Sequence, residues 1–392
     1  MSLSEPDSEA ALGAAVAEAA AAKTPLEITG GGTRRGLGRP VQAERTLSTA
    51  KLSGISLYEP GALTFVAAAG TPMAEVEAAL AAEGQRLPFE PMDHRALLGT
   101  TGEPTLGGAV AVAAAGPRRL SAGGCRDSMI GVRFVNGEGQ AISNGGRVMK
   151  NVTGYDLVKL MAGQYGTLGV LTEIGFKVLP KPETAACLLI EGLDDARAVA
   201  CMAEAVGSPY EISGAAHHPV GRDGAPVTML RIEGLARSVE YRTGELKRLL
   251  ARYGEIAVET DPERVEAGWK WVRDMEPLAG REGAVWQLSV KASDAPGIVA
   301  RLRETRDLDA IHYDWAGGRV WLLTPEEGDA GAAAIREETQ ALGGHATLMR
   351  ASPATRAAVA VFEPRPAVLA RIEAGLRARF DPAGVLNPGR MG

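Results

Sequence analysis

Between Val170 and Val178 the chain alternates, with Val170, Thr172, Ile174, Phe176 and Val178 on one side and Leu171, Glu173, Gly175 and Lys177 on the other. A period of two predicts a strand with one buried face, and Pro180 and Pro182 stop it. Upstream, 155–161 reads as a short helix that Gly163 can end, because glycine enters the left-handed conformation at little cost. GQYGTLG lies between them, with Gly163, Gly166 and Gly169 at three-residue steps. The whole run from Lys150 to Pro182 is therefore a helix, a glycine loop and a strand. Such a loop leaves peptide groups open to a flat or anionic ligand, although a plain helix-to-strand turn would also use glycine.

The rest of the first half alternates in the same manner. A helix is predicted over about 8–22 and a strand over 25–29, followed by the loop GGGTRRGLGRP. A strand over 63–69 leads to a helix with Thr71 as N-cap, Pro72 as first residue and an apolar stripe of Met73, Val76 and Leu80. A second loop of small residues, GTTGEPTLGGAVAVAAAG, precedes strands near 127–135 and 141–144. After Pro182 glycines thin out and elements lengthen, which marks a domain boundary. Strand, helix, strand, strand, helix, strand is read over 186–191, 194–206, 210–216, 227–232, 238–253 and 255–259. The order returns over 284–291, 295–304, 310–315, 320–323, 331–342 and 346–349. Each set is the βαββαβ order of a ferredoxin-like unit, and a helix carrying Trp269 and Trp271 connects them. The class is α+β, with a last helix ended by Asp381 and Pro382.

At 392 residues the chain exceeds what one core holds. Lys and Arg number 42 against 48 Asp and Glu, a net charge of −6, with no long basic run, so nucleic acid is excluded as a partner. Glu5, Asp7 and Glu9 make the start unlike a secretory signal, and the longest uncharged stretch near the middle, 105–117, is too short to span a bilayer. A cytoplasmic protein is expected, with any membrane association made through partners. Cys125, Cys187 and Cys201 form no CxxC pair, which points to a reducing compartment and to no metal site, neither iron–sulfur nor structural zinc.

The first loop is not a dinucleotide fingerprint, because Gly30, Gly32 and Gly36 give GxGxxxG and Pro40 follows instead of a helix. No Lys-Ser or Lys-Thr follows Gly36, so it is not a Walker loop either. It offers a nest of N–H groups at Gly31, Gly32 and Thr33, with Arg34 and Arg35 beside it, suited to a pyrophosphate. The second loop brings Thr105, Leu106, Gly107, Gly108 and Ala109, small enough for close backbone approach. Three such loops in one domain fit a long ligand with phosphates in its middle and a flat ring at its end.

GGGT, TLGG, KNVTGYDLVKLMAGQYGTLGVLTEIGFKVLPKP and FDPAGVLNPGRM together resemble the FAD-linked oxidases with a vanillyl-alcohol-oxidase (PCMH) type domain. Within these, PLEITGGGTRRGLGRPV, AAAGPRRLSAGGCRDSMIGVR and GGHAT are similar to the FAD-binding subunits of bacterial glycolate oxidases, over nearly the whole chain. The resemblance implies an FAD-binding PCMH-type domain over 1–182, a cap of two ferredoxin-like units over 183–350, and a segment over 351–392 returning to the FAD domain. It implies that Gly30, Gly31, Gly32 and Thr33 with Leu106, Gly107, Gly108 and Ala109 hold the pyrophosphate. Gly166 belongs to the same glycine loop, Gly169, Val170 and Leu171 would meet the adenine end, and Asn387 would lie near the flavin. Members that tether FAD covalently have a histidine in the first loop where this chain has Thr33, so FAD is expected to be non-covalent. Cys125 reads as a small buried thiol. The implied partners are a catalytic FAD subunit and an iron–sulfur subunit of a glycolate oxidase complex.

Oxidising a 2-hydroxy acid needs a base for the alcohol proton and a cation for the carboxylate. The histidines are His94, His217, His218, His312 and His345. Catalytic relatives in this branch carry the late motifs HGDGN and EHGxG, which are absent here. His217 and His218 are adjacent on a predicted strand and point to opposite faces, so core or surface packing is their reading. His345 in GGHATLMR is the remaining acid/base candidate and Arg350 the carboxylate clamp, although a helix end followed by a strand also explains the segment. The main reading is an accessory flavin subunit supporting oxidation of glycolate or D-lactate by electron relay, assembly or both. The alternatives are a self-sufficient FAD-dependent oxidoreductase working through His345 and Arg350, and a scaffold that has lost FAD.

Overall fold

The computed structural model describes residues 2–146 and 154–392. Lys150 to Thr153, the start of the long glycine-rich motif, lie outside the described residues. The chain divides into two compact units, Met1–Ala115 with Gly123–Lys181 and Pro364–Gly392, and Gly116–Ala122 with Pro182–Glu363.

The first unit holds a parallel sheet of β1 (Ser2–Ser4), β3 (Arg45–Ser48) and β2 (Leu26–Thr29), in the order β1-β3-β2. A five-stranded antiparallel sheet has the order β4 (Ile55–Glu59), β5 (Thr64–Ala68), β9 (Val170–Lys177), β7 (Met129–Val135), β8 (Ala141–Gly145). A short pair, β6 (Gln85–Arg86) and β10 (Leu179–Pro180), completes it. The strand read from alternation is central here, so both of its faces are covered: Leu171 and Gly175 are buried as well as Val170, Ile174 and Phe176. The helix Glu9–Ala22 begins at Ser8, whose hydroxyl accepts from the Ala11 N–H. Thr71 does not cap the next helix, Met73–Ala82, because its hydroxyl is engaged with Gly54 N and O (3.0 and 3.2 Å) and Pro72 occupies the cap position.

The second unit is one eight-stranded antiparallel sheet in the order β14 (Ile256–Glu259), β11 (Thr184–Glu191), β13 (Val227–Gly234), β12 (Ile212–His218), β16 (Ala310–Asp314), β17 (Arg319–Thr324), β15 (Ala284–Ser289), β18 (His345–Arg350). Read from either end, the order within each half is fourth, first, third, second strand, so the two ferredoxin-like units join edge to edge through β12 and β16. His217 pairs with Tyr313 across that seam. Helices including Asp195–Val206 and Ala295–Thr305 bury Leu188, Leu230, Trp286, Leu322 and Leu348 on one face of the sheet in one continuous core. On the other face the helix Pro262–Arg273 packs Trp269 against Ala216 and Met229. Gly214 makes this possible, since a Cβ there would stand 2.7 Å from the Trp269 ring.

Two boundaries differ from the sequence reading. The tail rejoins the first unit at Pro364 and not at 351, because Val361 is buried in the second core and its carbonyl accepts from Leu348 N–H. Gly116–Ala122 belongs to the second unit, where Gly116 O accepts from Trp315 Nε1 at 3.0 Å and Arg118 pairs with Glu233 at 2.9 Å. No helix among the described residues is long and apolar enough to cross a membrane.

Candidate functional site

In the first unit four chain segments meet around a cavity of about 700 Å³, mouth included, lined by Ile28 to Arg35, Thr105 with Gly107 and Gly108, Gln164 to Gly166 with Gly169 to Leu171, and Asn387 with Arg390. Gly30, Gly31, Gly32, Thr33, Gly107, Gly108, Gly166, Gly169, Val170, Leu171 and Asn387 are brought together here. Leu106 and Ala109 are not. Both are wholly buried in the apolar core, because Leu106–Ala111 is one short helix whose other face carries Gly107 and Gly108.

The glycines have a physical reason that the sequence did not reveal. A Cβ on Gly31 would lie 1.8 Å from Glu103 O, one on Gly30 2.3 Å from Thr105 Oγ1, and one on Gly166 2.4 Å from Asn387 Nδ2. These glycines let the loops close on one another around the cavity. Gly32, with φ of +78°, requires glycine on backbone grounds, as Gly166 does as well at +73°. Asn387 joins three segments: its Oδ1 accepts from Ile28 N–H at 2.8 Å, its Nδ2 donates to Tyr165 O at 2.7 Å, and its own N–H donates to Leu26 O. Gln164 ties the third loop, donating to Gly169 O at 3.1 Å and accepting from Leu168 N–H at 2.9 Å. Neither Gln164 nor Tyr165 stood out in the sequence; their signal was only their place inside GQYG. Burial pushes the Tyr165 hydroxyl up to about 12, so it stays neutral at the cavity wall.

These residues fit a flavin dinucleotide in one loop and less well in another. The N–H groups of Gly31, Gly32 and Thr33 have no acceptor among the described residues, which leaves a cradle of donors facing the cavity. In the second loop the amides are engaged: Leu106 N–H with Thr71 O, Gly107 N–H with Ala69 O, Gly108 N–H with Thr105 Oγ1 and Ala109 N–H with Thr105 O. The second loop therefore supplies a wall of small residues and not a second nest. Thr33 is buried and its carbonyl accepts from Thr100 Oγ1 at 2.9 Å.

The candidate acid/base pair is not assembled. His345 opens β18, is exposed and stands opposite Ser289, whereas Arg350 closes the same strand opposite Val285. Five residues of strand put their backbones about 17 Å apart. The Arg350 guanidinium is occupied structurally, donating to Leu278 O at 2.8 Å and to Arg281 O at 2.6 Å. His217 and His218 are core residues on opposite faces of the sheet: His217 contacts Thr228 Oγ1 at 3.0 Å, and His218 meets His312 through their Nδ1 atoms. Among the described residues no group of three or more His, Cys, Asp or Glu side chains could hold a metal. None of the three cysteines forms a disulfide, and all three are buried.

Residues 3–145 match the family described as FAD binding domain. The glycolate oxidase subunit GlcE of Escherichia coli strain K12 is 37% identical over 391 residues, covering 99% of each chain. The glycolate oxidase subunit GlcD of Bacillus subtilis strain 168 is 45% identical over 85 residues, 22% of this chain and 18% of that one. Among solved structures, an alkyldihydroxyacetonephosphate synthase matches with a TM-score of 0.73 over 98% of this chain and 75% of its own, at 15% identity. A p-cresol methylhydroxylase with substrate bound matches at 0.71 over 100% and 88%, at 16% identity. At such identities these structures establish the fold. The relative that is alike from end to end establishes more, and the chain belongs to the glycolate oxidase subunit GlcE family of FAD-linked oxidoreductases.

Proposed function

We propose that this chain is the FAD-holding accessory subunit of a glycolate-oxidising complex, and that substrate is oxidised on a partner subunit. The observation that carries the reading is the contrast within the chain: the first unit has a cavity with three unengaged amides at Gly31, Gly32 and Thr33, whereas in the second unit His345 and Arg350 lie at opposite ends of one strand. Gly31, Gly32 and Thr33 hold the diphosphate, Gly169 to Leu171 border the adenine end, and Asn387 keeps the loops closed. When bound, the flavin supplies two-electron redox chemistry. The chain itself supplies position and exclusion of water: Thr33 stands where a tethering histidine would be, so the cofactor is held without a covalent bond. The partners are a catalytic flavin subunit and an iron–sulfur subunit, and any attachment to a membrane is made through them.

The test is the anaerobic spectrum of the purified chain and of the assembled complex. The chain alone should be yellow, release its flavin on acid denaturation, and keep its absorbance when glycolate or D-lactate is added; the complex should bleach. Rapid bleaching of the isolated chain by either acid would replace this reading with a self-sufficient oxidoreductase.

A further inference from the structure

The arginines bordering the cavity have different partners. Arg390 donates to Arg35 O at 2.9 Å and Leu37 O at 3.0 Å, and its Nη2 reaches the buried Glu27 carboxylate at 3.3 Å. Arg35 binds the same carboxylate from the other side. Arg34, next in sequence and bordering the same cavity, has one hydrogen bond, from Nη2 to Met92 O at 3.1 Å. Its Nε is cut off from solvent without an acceptor among the described residues. Its Nη1 lies 3.3 Å from where a Cβ on Gly108 would stand, on the cavity side of the second loop. Asp93, the carboxylate whose charge acts on it, is itself gripped by Arg95 through Nε and Nη2 at 3.0 and 2.8 Å. Burial pushes the Arg34 guanidinium down to about 10, outweighing the opposing charge of Asp93.

We propose that Arg34 is the diphosphate-recognising residue of this site: its Nη1, beside Gly108 on the cavity that Gly31, Gly32 and Thr33 also line, takes a phosphoryl oxygen and makes the site select a flavin dinucleotide over a flavin without phosphate. The proposal rests on the flavin reading above and adds the residue that discriminates. A guanidinium held by one carbonyl is a liability in the empty protein and an asset in the loaded one, because the diphosphate brings the missing acceptor and charge. Arg34 should therefore have opposite effects on the two states, which a residue with a purely structural role cannot have.

The experiment uses the full chain freed of flavin, as wild type, Arg34→Met and Arg34→Lys, titrated with FAD, ADP and riboflavin by fluorescence and calorimetry, with thermal melts of each apoprotein. Arg34→Met should weaken FAD and ADP about ten- to a hundredfold, the range of one charge-assisted hydrogen bond. It should leave riboflavin unchanged and the apoprotein melting no lower than wild type. Arg34→Lys, which keeps the charge, should fall between and carries the same comparison if the methionine variant does not fold. Wild-type affinity for FAD and ADP in Arg34→Met would overturn the proposal while leaving the flavin site standing. Equal losses for riboflavin and FAD, or a variant apoprotein that folds but melts below wild type, would make Arg34 a packing residue. A wild-type apoprotein that takes up ADP but no FAD would overturn the flavin reading itself.

Discussion

A Cβ on Gly107 would meet the Ala69 Cβ at 2.8 Å, whereas one on Gly108 would face Thr105 Oγ1 at 3.1 Å and Arg34 Nη1 at 3.3 Å. Adjacent glycines on a helical turn point in different directions, one into the fold and one into the cavity. Gly107→Ala should therefore destabilise the protein by roughly 1–3 kcal/mol through overpacking while the folded fraction keeps its flavin. Gly108→Glu should do the reverse: the new carboxylate pairs with Arg34 and occupies the path of the diphosphate, so flavin is lost while the flavin-free protein melts close to the wild-type apoprotein. Absorbance near 450 nm per mole of protein, measured beside a thermal melt, separates the two. Asn387→Ala should remove both, since the Ile28 N–H and Tyr165 O would each lose a buried partner at about 1–3 kcal/mol apiece. The glycines stood out because their spacing marks loops, and Asn387 because the tail FDPAGVLNPGRM resembles a family motif; the fold brings them to one cavity. The opposing tasks of the glycines were not legible, because the direction of an absent Cβ depends on neighbours such as Glu103 and Ala69 that only the fold brings near.

The seam between β12 and β16 carries the clearest pH dependence. With His217 opposite Tyr313, His218 falls opposite His312 on the other face, its ring centroid 4.2 Å from that of Trp271 at a tilt of 49°. Burial first, and then the neighbouring imidazoles, hold His218 well below the usual histidine range; burial and the Arg281 charge hold His312 at about 3. The two Nδ1 atoms face each other, so only one of them carries the proton. On the first face Asp195 is pushed up by burial but held low by His217, Arg303 and Tyr313 together. Its loss of stability falls below the histidine window. Between about pH 6.5 and 4.5 the unfolded chain binds protons at both imidazoles that the folded chain does not, so stability falls as pH falls, by up to about 1.4 kcal/mol per pH unit for each. Urea unfolding at pH 7 and pH 5 should show that slope in the wild type, and His218→Leu with His312→Leu should flatten it. A double variant with the wild-type slope would place the proton uptake elsewhere. The paired βαββαβ order was readable because every strand and helix carries its own periodicity. The seam was not, since the pairing of an edge strand with one 94 residues away leaves no local pattern.

The first unit is assembled from three stretches of chain, and its last stretch is what makes it continuous. Leu26 N–H donates to Val385 O at 2.8 Å and Asn387 N–H donates to Leu26 O at 3.0 Å, so the tail lies beside β2 as an additional parallel partner. Asp381 fixes the turn before it, accepting from Val385 N–H at 3.1 Å and Leu386 N–H at 2.7 Å. Arg390 then supplies a counter-charge to the buried Glu27, whose side chain is 8% exposed. The resemblance marked the tail as a motif, FDPAGVLNPGRM, and implied that it returns to the first domain; Pro364–Gly392 packs within the first unit. The sequence could not show that the motif closes a sheet edge, because β2 and the tail are separated by nearly the whole chain. Ending the chain after Pro382 should therefore strip β2 of its partner on that edge, leave Glu27 with Arg35 alone, and open the cavity wall that Asn387 closes. The truncated protein should be recovered without flavin even when FAD is supplied in excess. Amide exchange should accelerate over 26–37 and 164–171, segments far from the deletion in sequence, while 284–289 and 319–324 of the second unit keep their protection. Stoichiometric flavin in that truncation, with unchanged exchange at Ile28, would mean that the tail decorates the site and does not build it.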